Sequence, residues 1–455
     1  MCANRTMARP FQTTTLLAVL LSICACSSTA NRMTPAMPED LSALNAVISE
    51  IPVNSSTAVS AEVLARDEQR FFVVKDNIHV AGVANSAGTP SLRNFIPTEN
   101  NGTVQLLMDA GAIPVAKTNM HELAFGITSN NAFFGAVGNY HDPLRFAGGS
   151  SGGTAVAVAS GAVTWGLCTD TGGSCRIPAA LNGVVGFRPS MGRYPSDHVT
   201  RLSSTRDTVG LITESAALLA ELDALITGSE ASEANPAGNY RIGVPAVFFS
   251  DLEAGIAESV EDYLFKLEAA GAELVSIDLG EFITRSNAIS LPIVMFEAPE
   301  VLQQYLGSYY PQLSLEELIA DIASEDVAEG FAAAIENPVS RESYAQAMLQ
   351  RNELVNDIAA FIAGNDLDAI AYPTVPIRAR SIASESITLE LNGRELPTFP
   401  TGIRHTDFAS TLGLPAITLP VPQAASELPV GVEFLANFGE DRRLLELAVF
   451  AENLQ

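Results

Sequence analysis

The stretch SGGTAVAVASGAVTWGLCTDTGGSCRIPAALNGV, residues 151–184, sets three patterns in a row. GGTAVAVASGAV, residues 152–163, has no side chain larger than valine, which suits a helix lying close against a sheet. TWGLCTD, residues 164–170, is a short apolar run of strand length. GGSCRIPAALNGV, residues 172–184, reads as a glycine-rich loop entering a second helix. A helix, strand, turn, helix order is the repeating unit of a layered α/β fold.

Outward from this stretch the same alternation continues. FFVV, residues 71–74, opens a strand-like segment within Arg70–Ile78, Thr103–Ala110 is helical in pattern and closed by Gly111, and Ile113–Ala116 is β-like. Near the other end AIAYPTVP (369–376), AITLPVP (416–422) and PVGVEFLA (429–436) read as buried strands. Between about 214 and 363 helical patterns dominate, for example Leu313–Ile322 and Ser340–Ile362. One continuous α/β domain over 61–455 with a helical elaboration at about 214–363 is the simplest organisation.

At 455 residues, 47% apolar and 17% charged, the composition is that of a folded globular protein. The 52 acidic against 25 basic residues give a formal charge of -27, which repels phosphate backbones and anionic headgroups and argues against a nucleic-acid partner. Arg5 and Arg9 precede the uncharged run Phe11–Ala25, the order of a secretory signal over residues 1–26, with 27–60 as linker and lead-in. Ile23-Cys24-Ala25-Cys26 resembles a bacterial lipoprotein cleavage box with Cys26 as the lipidation candidate, so a periplasmic or membrane-anchored enzyme is expected. Cys2, Cys24 and Cys26 lie in or near this leader. Cys168 and Cys175 alone remain in the body, too few for a disulfide framework, and read as small apolar packing residues. Asn4, Asn54 and Asn101 head glycosylation sequons, which matter only in a eukaryotic secretory pathway.

Glycines clustered around serines in GGSSGGT (148–154) and TDTGGSCRIP (169–178) bring backbone N–H groups close to a ligand, as a phosphate cradle or an oxyanion hole does. A phosphate loop needs lysine where this chain has Thr154. A nucleophile elbow fits Gly149-Ser150-Ser151-Gly152-Gly153, and a Ser151 esterase using His405 with Asp366 or Asp368 stays open. Lysine scarcity gives a third reading: there are three, Lys75, Lys117 and Lys266, and 22 arginines. Lys75 follows FFVV directly, where desolvation favours the neutral amine that can serve as a base. The plainer alternative is a strand-end lysine that reaches solvent or pairs with Asp76. His79 and His121-Glu122 do not complete the H-E-x-x-H metal pattern, and no metal is expected.

FFVVKDNI, AKTNMHELAFGITSNNAFFGAVGNYHDPLRFAGGSSGGTAVAVASG and GLCTDTGGSCRIPAALNGVVGFRPS, in that order, resemble the amidase signature family, and the resemblance runs from about Ala61 to Asn453. It implies a three-layer α/β/α domain with a large mixed sheet, a base Lys75, a relay Ser150 after a cis peptide, and a nucleophile Ser174. It further implies an oxyanion hole from the amides of Thr171, Gly172 and Gly173, with Ser151, Asp170 and Arg176 in support and Arg176 also able to contact substrate. Two departures stand out: a shortened approach, DEQRFFVV, and Tyr140 where proline is common.

In this reading Ser174 attacks the amide carbonyl, Lys75 takes the proton through Ser150, and water later releases the acid without a cofactor. HELAFGITSNNAFFGAVGN looks most like mandelamide and indoleacetamide hydrolases, which implies a small primary amide bearing an apolar or aryl group. An ammonia-generating amidotransferase subunit is the alternative within the family, against which the leader and the acidity weigh. The oligomeric state is left open, a homodimer being the form considered.

Overall fold

The computed structural model describes residues 39–52, 64, 67–233, 238–424 and 426–455. The leader expected at 1–26, with Cys26, and the sequon residues Asn4 and Asn54 lie outside them, as does most of the 27–60 segment. Asn101 is buried and caps the helix Gly102–Asp109 through its side chain.

An 11-stranded mixed sheet organises the domain. From edge to edge its strands are Val47–Glu50, Ile113–Thr118, Phe71–Lys75, Trp165–Asp170, Thr208–Thr213, Val185–Arg188, Ala416–Val421, Val430–Leu435, Ala369–Pro373, Arg241–Pro245 and Glu273–Ile277. Phe71–Lys75 runs parallel to both of its neighbours, while Trp165–Asp170 is antiparallel to Thr208–Thr213. The central strands are buried on both faces, which is why they read as continuous apolar runs.

Alternation along each strand divides the core. Phe72 and Val74 join Trp165 and Leu167 in one cluster, shared with side chains of the helices Gly102–Asp109, Ala216–Thr227, Ile256–Ala269 and Asp441–Glu452. Val73 and Cys168 point the other way and pack with Ala155, Val156 and Ala179 of the helices Gly152–Ala159 and Arg176–Asn182. Helices therefore cover both faces of one sheet, a single α/β domain of three layers. Within 214–363 two strands, Arg241–Pro245 and Glu273–Ile277, join this sheet. From Gly280 to Gly364 the elements are helices, the first of them the 30-residue Gly280–Tyr309.

One sequence expectation is corrected. Cys168 and Cys175 are more than packing residues: they form a disulfide, with Cα atoms 5.6 Å apart. The turn after Asp170 brings the chain back over the strand it has just left, and that reversal places position 175 above position 168.

The rings of Phe72 and Trp165 stack with centroids 4.4 Å apart, and the Trp165 indole donates to the Gln69 carbonyl at 2.8 Å. Trp165→Ala removes the ring and leaves that carbonyl without its donor. It should cost about 3–5 kcal/mol, read as a lower urea midpoint at unchanged slope; a loss under about 1 kcal/mol would show that the stack is not a structural anchor.

Candidate active site

Two strand ends and two helix starts converge. Lys75 ends Phe71–Lys75 and Asp170 ends Trp165–Asp170; because these strands are parallel neighbours, both residues emerge at the same sheet edge. Carboxyl ends of strands are where open α/β sheets place their ligands. Ser150 and Ser151 precede the helix Gly152–Ala159, Ser174 and Cys175 precede Arg176–Asn182, and the Gly149–Ser150 peptide is cis.

Lys75 is fully buried. Its Nζ donates to Ser150 Oγ at 2.7 Å, to Thr169 Oγ1 at 2.8 Å and to the Thr169 carbonyl at 3.4 Å, while Asn77 holds the same Thr169 hydroxyl at 3.1 Å. Burial pushes the Lys75 ammonium down to about 7, partly offset by the Asp170 and Asp207 carboxylates. Asp76, the plain partner considered for Lys75, instead pairs with the buried Lys117 at 3.6 Å. Lys117 also donates to the Ile78 carbonyl at 2.6 Å and to Asn85 at 2.9 Å, and burial pushes it down to about 8.

Asp170 holds the loop that carries Ser174. It accepts from the amides of Gly173 at 2.9 Å and Cys175 at 3.1 Å, and from Arg176 and Arg188. Burial alone would raise its carboxyl, but the two guanidiniums outweigh that and hold it well below the usual carboxylate range. Arg176 also reaches Glu433 at 2.5 Å and Ser410 at 2.8 Å and is fully buried, so it organises the loop from behind and does not line the pocket. Gly173 sits at φ +128, and a Cβ there would come within 2.1 Å of Thr406 Oγ1. Only glycine allows that approach.

Of the expected oxyanion donors, the Gly173 N–H is taken by Asp170. Thr171 and Gly172 line the pocket beside Ser174. Their carbonyls are held from outside, Thr171 O by Arg206 Nε at 3.1 Å and Gly172 O by Thr406 at 2.6 Å. Ser151 joins the two serine loops by donating its amide to the Ser174 carbonyl at 3.2 Å. Among the described residues, Ser174 Oγ has no hydrogen-bond partner.

The pocket on which Ser174 opens is a cavity of about 630 Å³ with mostly apolar walls, among them Phe125, Ile127, Leu202, Val294, Met295 and Ile403. Its charged residues include Arg206, paired with Asp407, and Arg404, paired with Asp251. Sequence reading missed Thr169 and Arg206. Thr169 was within reach, since it stands next to Asp170 at the end of the strand beside Phe71–Lys75; Arg206 depends on a partner 201 residues away.

The Ser151 and His405 esterase is overturned. His405 is buried against Phe248 and Tyr372, its Nδ1 bonded to the Pro373 carbonyl at 2.7 Å, and burial pushes it down to about 3. Ser151 Oγ points instead at the Thr169 carbonyl, 3.4 Å away, and Asp368 is held by Arg241 and Arg443. Asp366 follows the helix Arg341–Gly364. Elsewhere Glu122 accepts from Thr89 and from the amides of Ala323 and Ser324, His121 faces Asp326 at 3.1 Å, and His79 meets the Tyr305 hydroxyl at 2.7 Å.

Glycine-framed serines, a buried amine bonded to one of them and an apolar pocket beside another define a class, the hydrolases that work by acyl transfer. The sequence profile described as Amidase matches residues 71–445, and the chain belongs to the amidase family. It is 39% identical over 398 residues to the mandelamide hydrolase of Pseudomonas putida, covering 84% of this chain and 77% of that one. To the indoleacetamide hydrolase of Agrobacterium vitis it is 40% identical over 382 residues, covering 83% and 82%. A crystal structure described as amidase superposes with TM-score 0.77 at 30% identity, covering 93% and 97%. The protein is therefore a hydrolase of linear amide C–N bonds, releasing acid and ammonia.

A base must be neutral to accept a proton, and the neutral fraction of an amine at about 7 grows as pH rises through that value. With Lys75 as the proposed base, the expected kcat/KM profile is level above pH about 8 and falls on the order of tenfold per unit below about 7. An unchanged rate down to pH about 5 would remove Lys75 as the base.

Proposed function

We propose that the enzyme hydrolyses a small primary amide bearing an apolar or aryl group, by the relay Ser174, Ser150, Lys75. The observation that carries the reading is the fully buried Lys75 amine 2.7 Å from Ser150 Oγ, next to an apolar pocket lined by Ser174. Neutral Lys75 accepts the Ser150 proton as Ser150 accepts that of Ser174, and the Ser174 oxygen attacks the carbonyl. The amides of Thr171 and Gly172 stabilise the tetrahedral oxygen, a kind of donor whose loss typically costs about 100-fold to 1,000-fold. Ser150 then delivers the proton to the leaving ammonia, and water cleaves the acyl-enzyme by the same relay in reverse.

The apolar walls of the pocket support an apolar substituent on the acyl side, and the mandelamide and indoleacetamide hydrolases among the relatives point to arylacetamides. A membrane-anchored or periplasmic location is supported by the Arg5 and Arg9 leader, by the box ending at Cys26, and by the Cys168–Cys175 disulfide, a bond that persists in oxidising compartments.

Ser174→Ala should lower turnover of phenylacetamide and indole-3-acetamide by several orders of magnitude and abolish labelling by a fluorophosphonate. Turnover within about tenfold of wild type would remove Ser174 as nucleophile. For the anchor, the full chain expressed in a bacterium should sediment with membranes and Cys26→Ala should release it; wild-type protein found wholly in the soluble fraction sinks the lipidation reading.

A further inference from the structure

We infer that the Cys168–Cys175 disulfide positions the nucleophile, so that the rate at which Ser174 is acylated depends on the bond as well as on the fold; this rests on Ser174 being the nucleophile. Cys168 lies two residues before Asp170 in the strand Trp165–Asp170, and Cys175 follows Ser174 directly. The bond closes a loop of sequence separation 7 that contains Thr171, Gly172, Gly173 and Ser174, the residues on which attack and oxyanion binding depend.

The fold makes room for the bond. Cys168 pairs in register with Gly210 of Thr208–Thr213. A Cβ on Gly210 would lie 2.9 Å from Cys175 Sγ, 3.3 Å from Cys168 Sγ and 2.3 Å from the Phe187 carbonyl. The sulfurs therefore rest on bare backbone of the neighbouring strand. Cys175 is also the residue before the helix Arg176–Asn182, and its side chain makes no cap hydrogen bond there. The sulfur bridge thus joins the start of that helix covalently to the strand that ends in Asp170.

The other restraints on the loop are hydrogen bonds, among them the Gly173 and Cys175 amides to Asp170, the Ser151 amide to the Ser174 carbonyl, the Thr171 hydroxyl to Asp207, Thr406 to Gly172 O, and Arg206 to Thr171 O. Each can lengthen without breaking the fold, whereas the covalent link beside Ser174 cannot. A nucleophile displaced by about 1 Å can lose on the order of 100-fold in rate. Most of the pocket wall comes from other segments, so substrate affinity should change much less than turnover.

The test compares the full-length wild type with Cys168→Ala/Cys175→Ala and with Cys168→Ala/Cys175→Val, the second refilling part of the sulfur volume. Circular dichroism at the assay temperature checks folding, and the readouts are the second-order rate of fluorophosphonate labelling and kcat and KM for phenylacetamide. Both folded variants should label and turn over at least about fivefold more slowly with KM within about threefold of wild type, because the effect falls on geometry of attack. A smaller change in the labelling rate in either folded variant overturns the inference, since a bond that only stabilises the fold would leave the folded enzyme's rate alone.

Should the variants fail to fold, the wild-type chain is treated with dithiothreitol until alkylation and mass spectrometry count two new thiols. In that step the dithiol closes to its cyclic disulfide and gives two electrons and two protons to the S–S bond, leaving Cys168 and Cys175 as thiols. Labelling of this reduced form at least about fivefold slower supports the inference, and a smaller change overturns it. Ser174→Ala run in parallel keeps the two claims apart: if it still labels, the nucleophile assignment fails whatever the cysteine variants do.

Discussion

An amine stripped of water at the end of a buried strand is the constraint around which the rest is arranged. Lys75 receives three oxygen partners from Ser150 and Thr169 in place of a hydration shell, enough to hold its Nζ in one place but not to keep it fully charged at neutral pH. Any nearby carboxylate works against that balance. Asp170 holds the loop that carries Ser174, where it accepts from two backbone amides, and its charge is met on the spot by Arg176 and Arg188. Asp207, the other carboxylate that raises Lys75, binds Thr171 and the amides of Leu202 and Ser203. Burial in turn raises the Asp207 carboxyl. The guanidinium layer behind the loop therefore lets a structural carboxylate sit near the lowered Lys75 amine.

The proposed relay and most of the pocket wall come from different parts of the chain. Lys75, Ser150 and Ser174 are set by the end of one sheet strand and the starts of two short helices that pack on a single face of the sheet. Much of the pocket wall, including Val294 and Met295, comes from the helix Gly280–Tyr309, with Phe399 and Ile403 supplied by the segment after Arg394–Pro397. Arg206 bridges the two parts, reaching Thr171 O on the catalytic side and Asp407 and Ser290 on the pocket side. A change of pocket shape can thus accumulate in the helical wall without moving the reacting atoms.

What the sequence made legible follows the range of the interactions. The elements around residues 151–184 were readable because a small-residue helix, an apolar strand and a glycine-rich turn each leave a local pattern, and the apolar run FFVV before Lys75 pointed to a desolvated strand end. Pairings that cross the chain were not readable. Asp76 stands next to Lys75 yet serves Lys117, because neighbours in a strand point to opposite faces and Lys117 lies on the adjoining strand. His405 looked like a base by residue type, but it is packed between rings with its Nδ1 on a backbone carbonyl. Cys168 and Cys175 seemed too few to matter. Their pairing depends on a chain reversal over the strand end that the glycines of the turn permit but do not announce.

The cation usage of the chain acquires a physical meaning from the site. Of its three lysines, Lys75 and Lys117 are fully buried within one region, and Lys266 alone is exposed, on the helix Ile256–Ala269. Arginine does the remaining cationic work, including Arg176, Arg188 and Arg206 in the interior. Guanidinium stays protonated in a protein and binds carboxylates through a fixed fork, so it suits fixed ion pairs such as Arg176 with Asp170. An ammonium is the side chain whose charge burial can remove, because neutralising it needs only the loss of one proton from a group that desolvation has already weakened. Lysine at position 75 therefore fits the proposed relay: arginine there would keep its charge, and the serine beside it would lack the proposed base.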